Sequence, residues 1–212
     1  MSRFAELVSR RSAGCRFPSF RRAVAALVAA PLAFATMAIS ASAQTQFDVN
    51  PAQSTVHFGL ADTLHAFGGV FKITSADFTF SRKTDKMGGE IIVAAASGNS
   101  GTAARDRKMK KEELKAKQYP DITFQPSSFT GQIPTSGTGQ IKVSGTFTLL
   151  GKPHPLTVPM TVTVSGANCT ATGTFEVPYI QWGLKNPSML FIHMQKQVKI
   201  DLKLVGQLKP AA

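Results

Sequence analysis

Cysteine is nearly absent from this chain, which has two, and tryptophan occurs once. Acidic residues are also scarce, 12 against 24 lysines and arginines. Each shortage excludes something. Cys15 lies in the first 43 residues, so removal of that segment would leave Cys169 alone with no intrachain disulfide to form. A domain without that staple must be held by its own core, and residues 44–212 suffice for one. Cys169 itself is read as a small buried or half-buried strand residue in preference to a reactive thiol.

Few acids leave little room for paired catalytic carboxylates. Glu112-Glu113 sit inside a run of lysines, where solvated salt pairing is the plainer reading. There is no G-x-S-x-G elbow, no H-E-x-x-H and no phosphate-cradling glycine loop. The four histidines (His57, His65, His154, His193) lack metal-ligand spacing. The expectation is a protein with no catalytic residue, no metal and no cofactor.

The N-terminus decides which residues belong to the fold. Six arginines among residues 1–22, an uncharged run from Ala23 to Ile39 and the small-x-small triplet Ala41-Ser42-Ala43 have the layout of a secretory signal peptide. A membrane anchor is the competing reading, but the run falls short of the roughly 20 residues of a span and Pro31 interrupts it. Cleavage after Ala43 is expected, giving 1–43 as signal peptide, 44–212 as the domain, and a periplasmic location. Losing six arginines and Glu6 takes the net charge from +12 to +7, which favours approach to anionic surfaces.

The remainder is rich in period-two alternation. Ile141, Val143, Phe147 and Leu149 alternate with Lys142, Ser144, Thr146 and Thr148. The same pattern recurs from Leu156 to Val164 and from Val198 to Leu204. Weaker versions run through Ser54–Leu60, Thr74–Phe80, Glu90–Ala96, Ile122–Phe129 and Cys169–Val177. Such alternation puts an apolar row on one sheet face and a polar row on the other. Turn residues at 85–89, 134–139, 151–155 and 165–168 join the segments by short connections. About eight strands so joined predict an all-β fold, an antiparallel barrel or sandwich.

Arg105–Gln118 (RDRKMKKEELKAKQ) breaks the pattern and reads as a short helix or ordered loop, ended by Pro120. Asp106–Lys110 and Glu113–Lys117 have the spacing of favourable helix pairs, while Met109, Leu114 and Ala116 make a poor apolar stripe. Its cations fit a solvated face or contact with anionic lipid heads. Nucleic acid is disfavoured, because no aromatics interleave them.

Closed into a barrel, eight strands leave an interior that is either filled or just wide enough for a small ligand. The apolar row includes Val56, Phe58, Phe78, Phe80, Val93, Phe124, Val143, Phe147, Leu149, Val158, Val162, Phe175, Ile200 and Leu202, none of them charged. A hollow interior so lined admits hydrocarbon and rejects polar solutes. Periodicity does not distinguish it from a packed core.

Several motifs bear on that choice. They are Asp48 with Ser54-Thr55-Val56-His57-Phe58, Gly69-Val70-Phe71, Arg105-Asp106, Tyr119-Pro120-Asp121-Ile122-Thr123-Phe124, Val143 to Lys152 (VSGTFTLLGK), and Tyr179-Ile180-Gln181-Trp182-Gly183-Leu184. In this order they resemble the YceI family of exported polyisoprenoid-binding proteins. The resemblance implies a lipocalin-like barrel with a long apolar channel, occupied by an isoprenoid quinone, a prenyl phosphate or a fatty-acid-like molecule; some relatives are homodimers. Val177-Pro178-Tyr179 and Leu64-His65-Ala66-Phe67 depart from the family pattern at the head-group end.

The channel lining is expected from Phe58, Phe78, Phe80, Phe124, Phe147 and Phe175. His65, Arg105 and Trp182 are candidates for the mouth; a solvated loop for His65 and a structural plug for Trp182 are the plainer alternatives. The function expected is non-enzymatic storage or transport of an isoprenoid-like lipid. The competing class is a ligand-free envelope stress or interaction module with a packed barrel core.

Overall fold

The computed structural model describes residues 44–61, 66–185 and 195–211. The expected signal peptide, His65 and His193 lie outside them. Ten strands are present: β1 Thr45–Val49, β2 Thr55–Ala61, β3 Ala66–Phe71, β4 Ile73–Phe80, β5 Met87–Ala94, β6 Asp121–Gly131, β7 Gly137–Leu149, β8 Lys152–Ser165, β9 Asn168–Val177 and β10 Val198–Pro210. Every pairing between them is antiparallel.

The sheet runs β1-β4-β5-β6-β7-β8-β9-β10 and closes by pairing β10 with β1. It is therefore an eight-stranded barrel. The two additional strands extend two of these eight: β2 continues β1 and β3 continues β4. Along one edge of β10, Gly206 faces Val49 of β1 and Lys203 faces Thr55 of β2. Residues 50–54 bulge out between those contacts, held by Ser54, whose hydroxyl donates to the Asn50 carbonyl and accepts from the Val205 amide. Alternation located β2 and β4 but missed β1 and β3. β1 has only five residues, and β3 (AFGGVF) carries two glycines that blank its row.

Turn chemistry fixes the hairpins. Leu150 and Gly151 both have positive φ, 52° and 71°, the signature of a two-residue type I′ turn whose twist suits the strands it joins. Its register pairs Leu149 with Lys152 and, further in, Val143 with Val158. That puts the apolar rows of both strands on one side. The core collects these rows from all eight strands; the inward residues predicted by alternation belong to it or pack against it, except Phe58, which is buried against Phe71 at 5.1 Å between ring centroids.

The helical segment differs from a regular helix. α1 spans Ala103–Lys108, and a wider π-turn follows over Met109–Glu113. In an α-helix Met109 and Leu114, five residues apart, would point about 140° away from each other. In the π-turn the Leu114 amide donates to the Met109 carbonyl (2.8 Å), one residue further back than α-helical bonding allows. The two side chains thus share one side and, with Ala116, pack against the barrel end. This explains the poor apolar stripe, which was measured against the wrong helical period. The expected Asp106–Lys110 and Glu113–Lys117 ion pairs do not form. Asp106 instead accepts from the amide (2.8 Å) and hydroxyl (2.6 Å) of Ser100, and Lys115, at φ 46°, breaks the helix before Lys117.

Candidate functional site: an apolar channel with a charged mouth

The inward rows enclose space. An inner cavity of about 160 Å³ is walled by Phe47, Phe78, Phe80, Phe124, Phe175 and their aliphatic neighbours from all eight barrel strands. One water needs only roughly 10–15 Å³ measured the same way, so this is no packing defect. Among the residues walling it, only Thr123 carries a hydroxyl and none carries a charge. An outer cavity of about 200 Å³ lies at the helical end, walled by Phe58, Leu60, Phe67, Leu149, Val177 and residues of the helical segment. Phe71, Ile122, Phe147 and Ile200 belong to both walls. The two spaces therefore abut along the barrel axis.

Partial exposure of inward residues agrees with this. Val143, Val158 and Val162 are buried, whereas Phe124, Phe147, Phe175, Ile200 and Leu202 are only half-buried. In-register pairing links Phe124 to Phe147, and Phe58 to Ile200 to Phe175. These rings stand around the lumen near its middle and leave its axis open.

Small residues keep it so. Gly173 lies in the inward row of β9, opposite Met160, and a methyl group added there would meet the Met160 sulfur at 2.3 Å. Cys169 and Ala171, in the same row, are buried and also wall the inner cavity. Burial pushes the Cys169 thiol up to about 11, so it stays protonated and inert.

The inner end is sealed. Phe80 meets Phe129 edge to face at 6.4 Å, and the Arg82 guanidinium lies 5.1 Å from the Phe80 ring. Arg82 also donates to the carbonyls of Ile133 (3.2 Å) and Pro134 (3.3 Å) and to the Thr45 hydroxyl (3.3 Å). A single side chain thus ties three parts of that rim together.

The outer end is polar. Arg105, Lys108, Glu113 and Lys185 all contribute to the outer wall. The Arg105 guanidinium rests on the Phe67 ring at 4.4 Å, a cation–π contact that lets the charge sit beside apolar surface. Glu113 holds one carboxylate oxygen buried with no hydrogen-bond partner among the described residues. Desolvation raises its pKa, opposed by the nearby Lys108 ammonium. Tyr179 is buried beside it and donates to the Gln195 carbonyl at 2.7 Å, fastening the segment after β9 to the approach to β10.

Of the nine residues singled out from sequence, Phe78, Phe80, Phe124, Phe147 and Phe175 wall the inner cavity, and Phe58, Phe147 and Arg105 wall the outer. Trp182 walls neither. It packs behind the lumen, 5.4 Å from Phe147 and stacked on His154 at 4.3 Å and 7°. His154 pairs with Phe147 across β7–β8, so it belongs to the inward row at the rim. Its Nε2 is buried with no hydrogen-bond partner among the described residues, and desolvation lowers its pKa.

Sequence reasoning missed Phe47, Phe67, Phe71, Glu113 and Arg82. The first three lie on or beside β1 and β3, the strands that alternation did not find. Glu113 looked like one more charge in a solvated run, and only the π-turn turns it inward. No sequence signal marks Arg82. Among the described residues no group of three or more His, Cys, Asp or Glu converges where a metal could sit.

Known structures share this architecture. The chain is similar to BcnA of Burkholderia cenocepacia (26% identity, TM-score 0.64, 75% of this chain and 99% of that one). It is also similar to a polyisoprenoid-binding domain from Saccharophagus degradans implicated in plant cell wall breakdown (14%, TM-score 0.60, 78% and 98%). The YceI protein of Campylobacter jejuni matches more loosely (16%, TM-score 0.51, 63% and 80%). The last two likenesses bear on the fold alone. No match was found among curated proteins. Residues 47–206 match the model of the YceI-like domain, a span from β1 into β10 that includes every wall residue of both cavities except Leu208, and the chain belongs to that family.

Proposed function

We propose that this barrel binds a long apolar lipid of the isoprenoid type and stores or carries it in the periplasm without transforming it. The observation that carries the reading is the pair of abutting cavities with shared walls at Phe71, Ile122, Phe147 and Ile200. A long, narrow lumen, apolar throughout its inner half and charged only at its mouth, fits an extended hydrocarbon better than a compact solute. Each CH₂ brought from water into such a wall contributes about 0.8 kcal/mol, opposed by the ordering of a flexible chain. A polar solute would lose its hydrogen bonds to water in the inner cavity and regain almost none.

Polarity along the axis orients the guest. The tail belongs at the sealed end, under Phe80 and Phe129, and the head at the outer end beside Arg105, Lys108, Glu113 and Lys185. That ring of groups suits a quinone, phenol or phosphate head. A domain that shares this fold is described as polyisoprenoid-binding, and the ligand class proposed here agrees with that.

Purification without detergent, followed by organic extraction and mass spectrometry, tests the reading. The expected result is a prenyl-chain lipid near one equivalent per chain. No extractable lipid, together with no uptake of added quinone, would favour the ligand-free interaction module instead.

A further inference from the structure

The segment from Arg105 to Lys117 holds seven cations and three acids. Two of the acids are withdrawn from its outer surface: Asp106 is occupied by Ser100, and Glu113 is turned toward the outer cavity. Glu112 is the one fully exposed acid. Among the described residues no ion pair within 4.0 Å engages any of the seven cations. Packing also fixes which side faces out. Because Met109, Leu114 and Ala116 are docked on the barrel, Arg107, Lys108, Lys111, Lys115 and Lys117 are left exposed.

This cationic arm lies at the channel mouth, since Arg105 and Lys108 are part of the outer wall. Exposed Lys152 and Lys185 extend the same rim; Lys152 reaches Gly183 in the segment after β9, where a methyl group added to that glycine would stand 3.8 Å from its ammonium. At the sealed end two of the cations are engaged, while Lys83 and Lys86 are exposed there without a cluster around them. Arg82 is bound by three oxygens, and Lys209 is paired with Asp48.

We infer that the basic arm docks the barrel on an anionic phospholipid surface with the channel mouth turned toward the bilayer. The partner is identified by charge complementarity: a surface dense in phosphate attracts a segment whose cations outnumber its acids seven to three. The purpose rests on the carrier reading. An apolar chain moving between bilayer and barrel avoids water only if the mouth abuts the head-group layer. Docking itself does not require a bound lipid, so the two readings fail separately.

The test is flotation of the purified full chain with vesicles of phosphatidylcholine alone or mixed with phosphatidylglycerol, at low salt. The unmodified protein is expected to float only with the phosphatidylglycerol vesicles. Raising the salt to about 1 M, where the screening length is about 3 Å, should release it. A variant carrying Lys110→Gln, Lys111→Gln, Lys115→Gln and Lys117→Gln spares the cavity walls, and its apparent affinity for these vesicles should fall roughly a thousandfold. Its melting temperature and its uptake of an added prenyl alcohol should be unchanged. A second variant at the sealed end, Lys83→Gln with Lys86→Gln, should bind vesicles like the unmodified protein. Equal binding to phosphatidylcholine vesicles, equal losses from both variants, or no binding at all would overturn the inference. Vesicle binding that persists in a protein taking up no prenyl lipid would sustain docking and remove the carrier function.

Discussion

At one end of the barrel Phe47, Phe78, Phe80 and Phe129 come together under Arg82, whose hydrogen bonds tie β1, the β4–β5 turn and the segment before β7. At the other end the β5–β6 connection carries a helical segment, residues 179–185 after β9 contribute to the wall, and four charged side chains stand in that wall, although the β7–β8 turn there has only two residues. Packed rings seal the first end. The two long connections bring polar groups to the rim of the second. The difference gives the lumen a direction: oily and closed inside, charged and accessible outside. It also separates two kinds of residue, those that make space and those that decide what enters it.

The strongest way to break this contrast is to fill the inner half. Ala171→Phe puts a ring into the β9 row where it walls the inner cavity. In a solid core such overpacking costs about 1–3 kcal/mol. Facing open space, the ring should enter the lumen with a smaller loss of stability and reduce uptake of a long prenyl alcohol by about tenfold or more. Thermal melting measured beside ligand titration separates the cases; a large drop in melting temperature would mean that the inner half was already full.

A smaller effect is expected where the two cavities meet. Phe147→Trp places a reporter in their shared wall, with Trp182→Phe removing the native indole 5.4 Å away. Addition of a prenyl chain should shift its emission to the blue as water leaves the lumen. Emission that stays constant while lipid is demonstrably bound would put the guest elsewhere.

The smallest effect belongs to the mouth. The raised pKa of Glu113 comes mainly from desolvation. A carboxyl group whose folded pKa lies above its unfolded value favours folding while both states are protonated. That contribution is lost as pH rises from the ordinary glutamate range through the raised folded value. Glu113→Gln removes the ionisation, so it should raise the melting temperature slightly at neutral pH. The gain should vanish in acid below the ordinary glutamate range, a trend that calorimetry across pH would detect. A gain independent of pH would show that the carboxylate is not desolvated. Because Glu113 is only half-buried, water screens much of this effect.

Much of the barrel was legible because strand side chains alternate with period two. Every strand with an unbroken apolar row, β7, β8 and β10 above all, was found, and its inward residues were identified correctly. Trp182 shows where that reasoning stops. An aromatic beside a glycine in a turn is equally consistent with lining a mouth and with plugging it. Only the folded chain shows that it stacks on His154 of β8, outside the walls of both cavities.

The amino-acid order alone, then, settles the all-β class and which face of each strand is oily, since both depend on neighbours two residues apart. Whether those oily faces touch or stand clear of each other depends on closure. Pairing β10 with β1 joins residues some 160 positions apart, and that register sets the width of the lumen. The inward turn of Glu113 likewise depends on the docking of Met109 and Leu114 against strands that no local pattern names. Contacts between distant segments carry no local periodicity, so the cavity and its charged mouth emerge only when the sheet has closed.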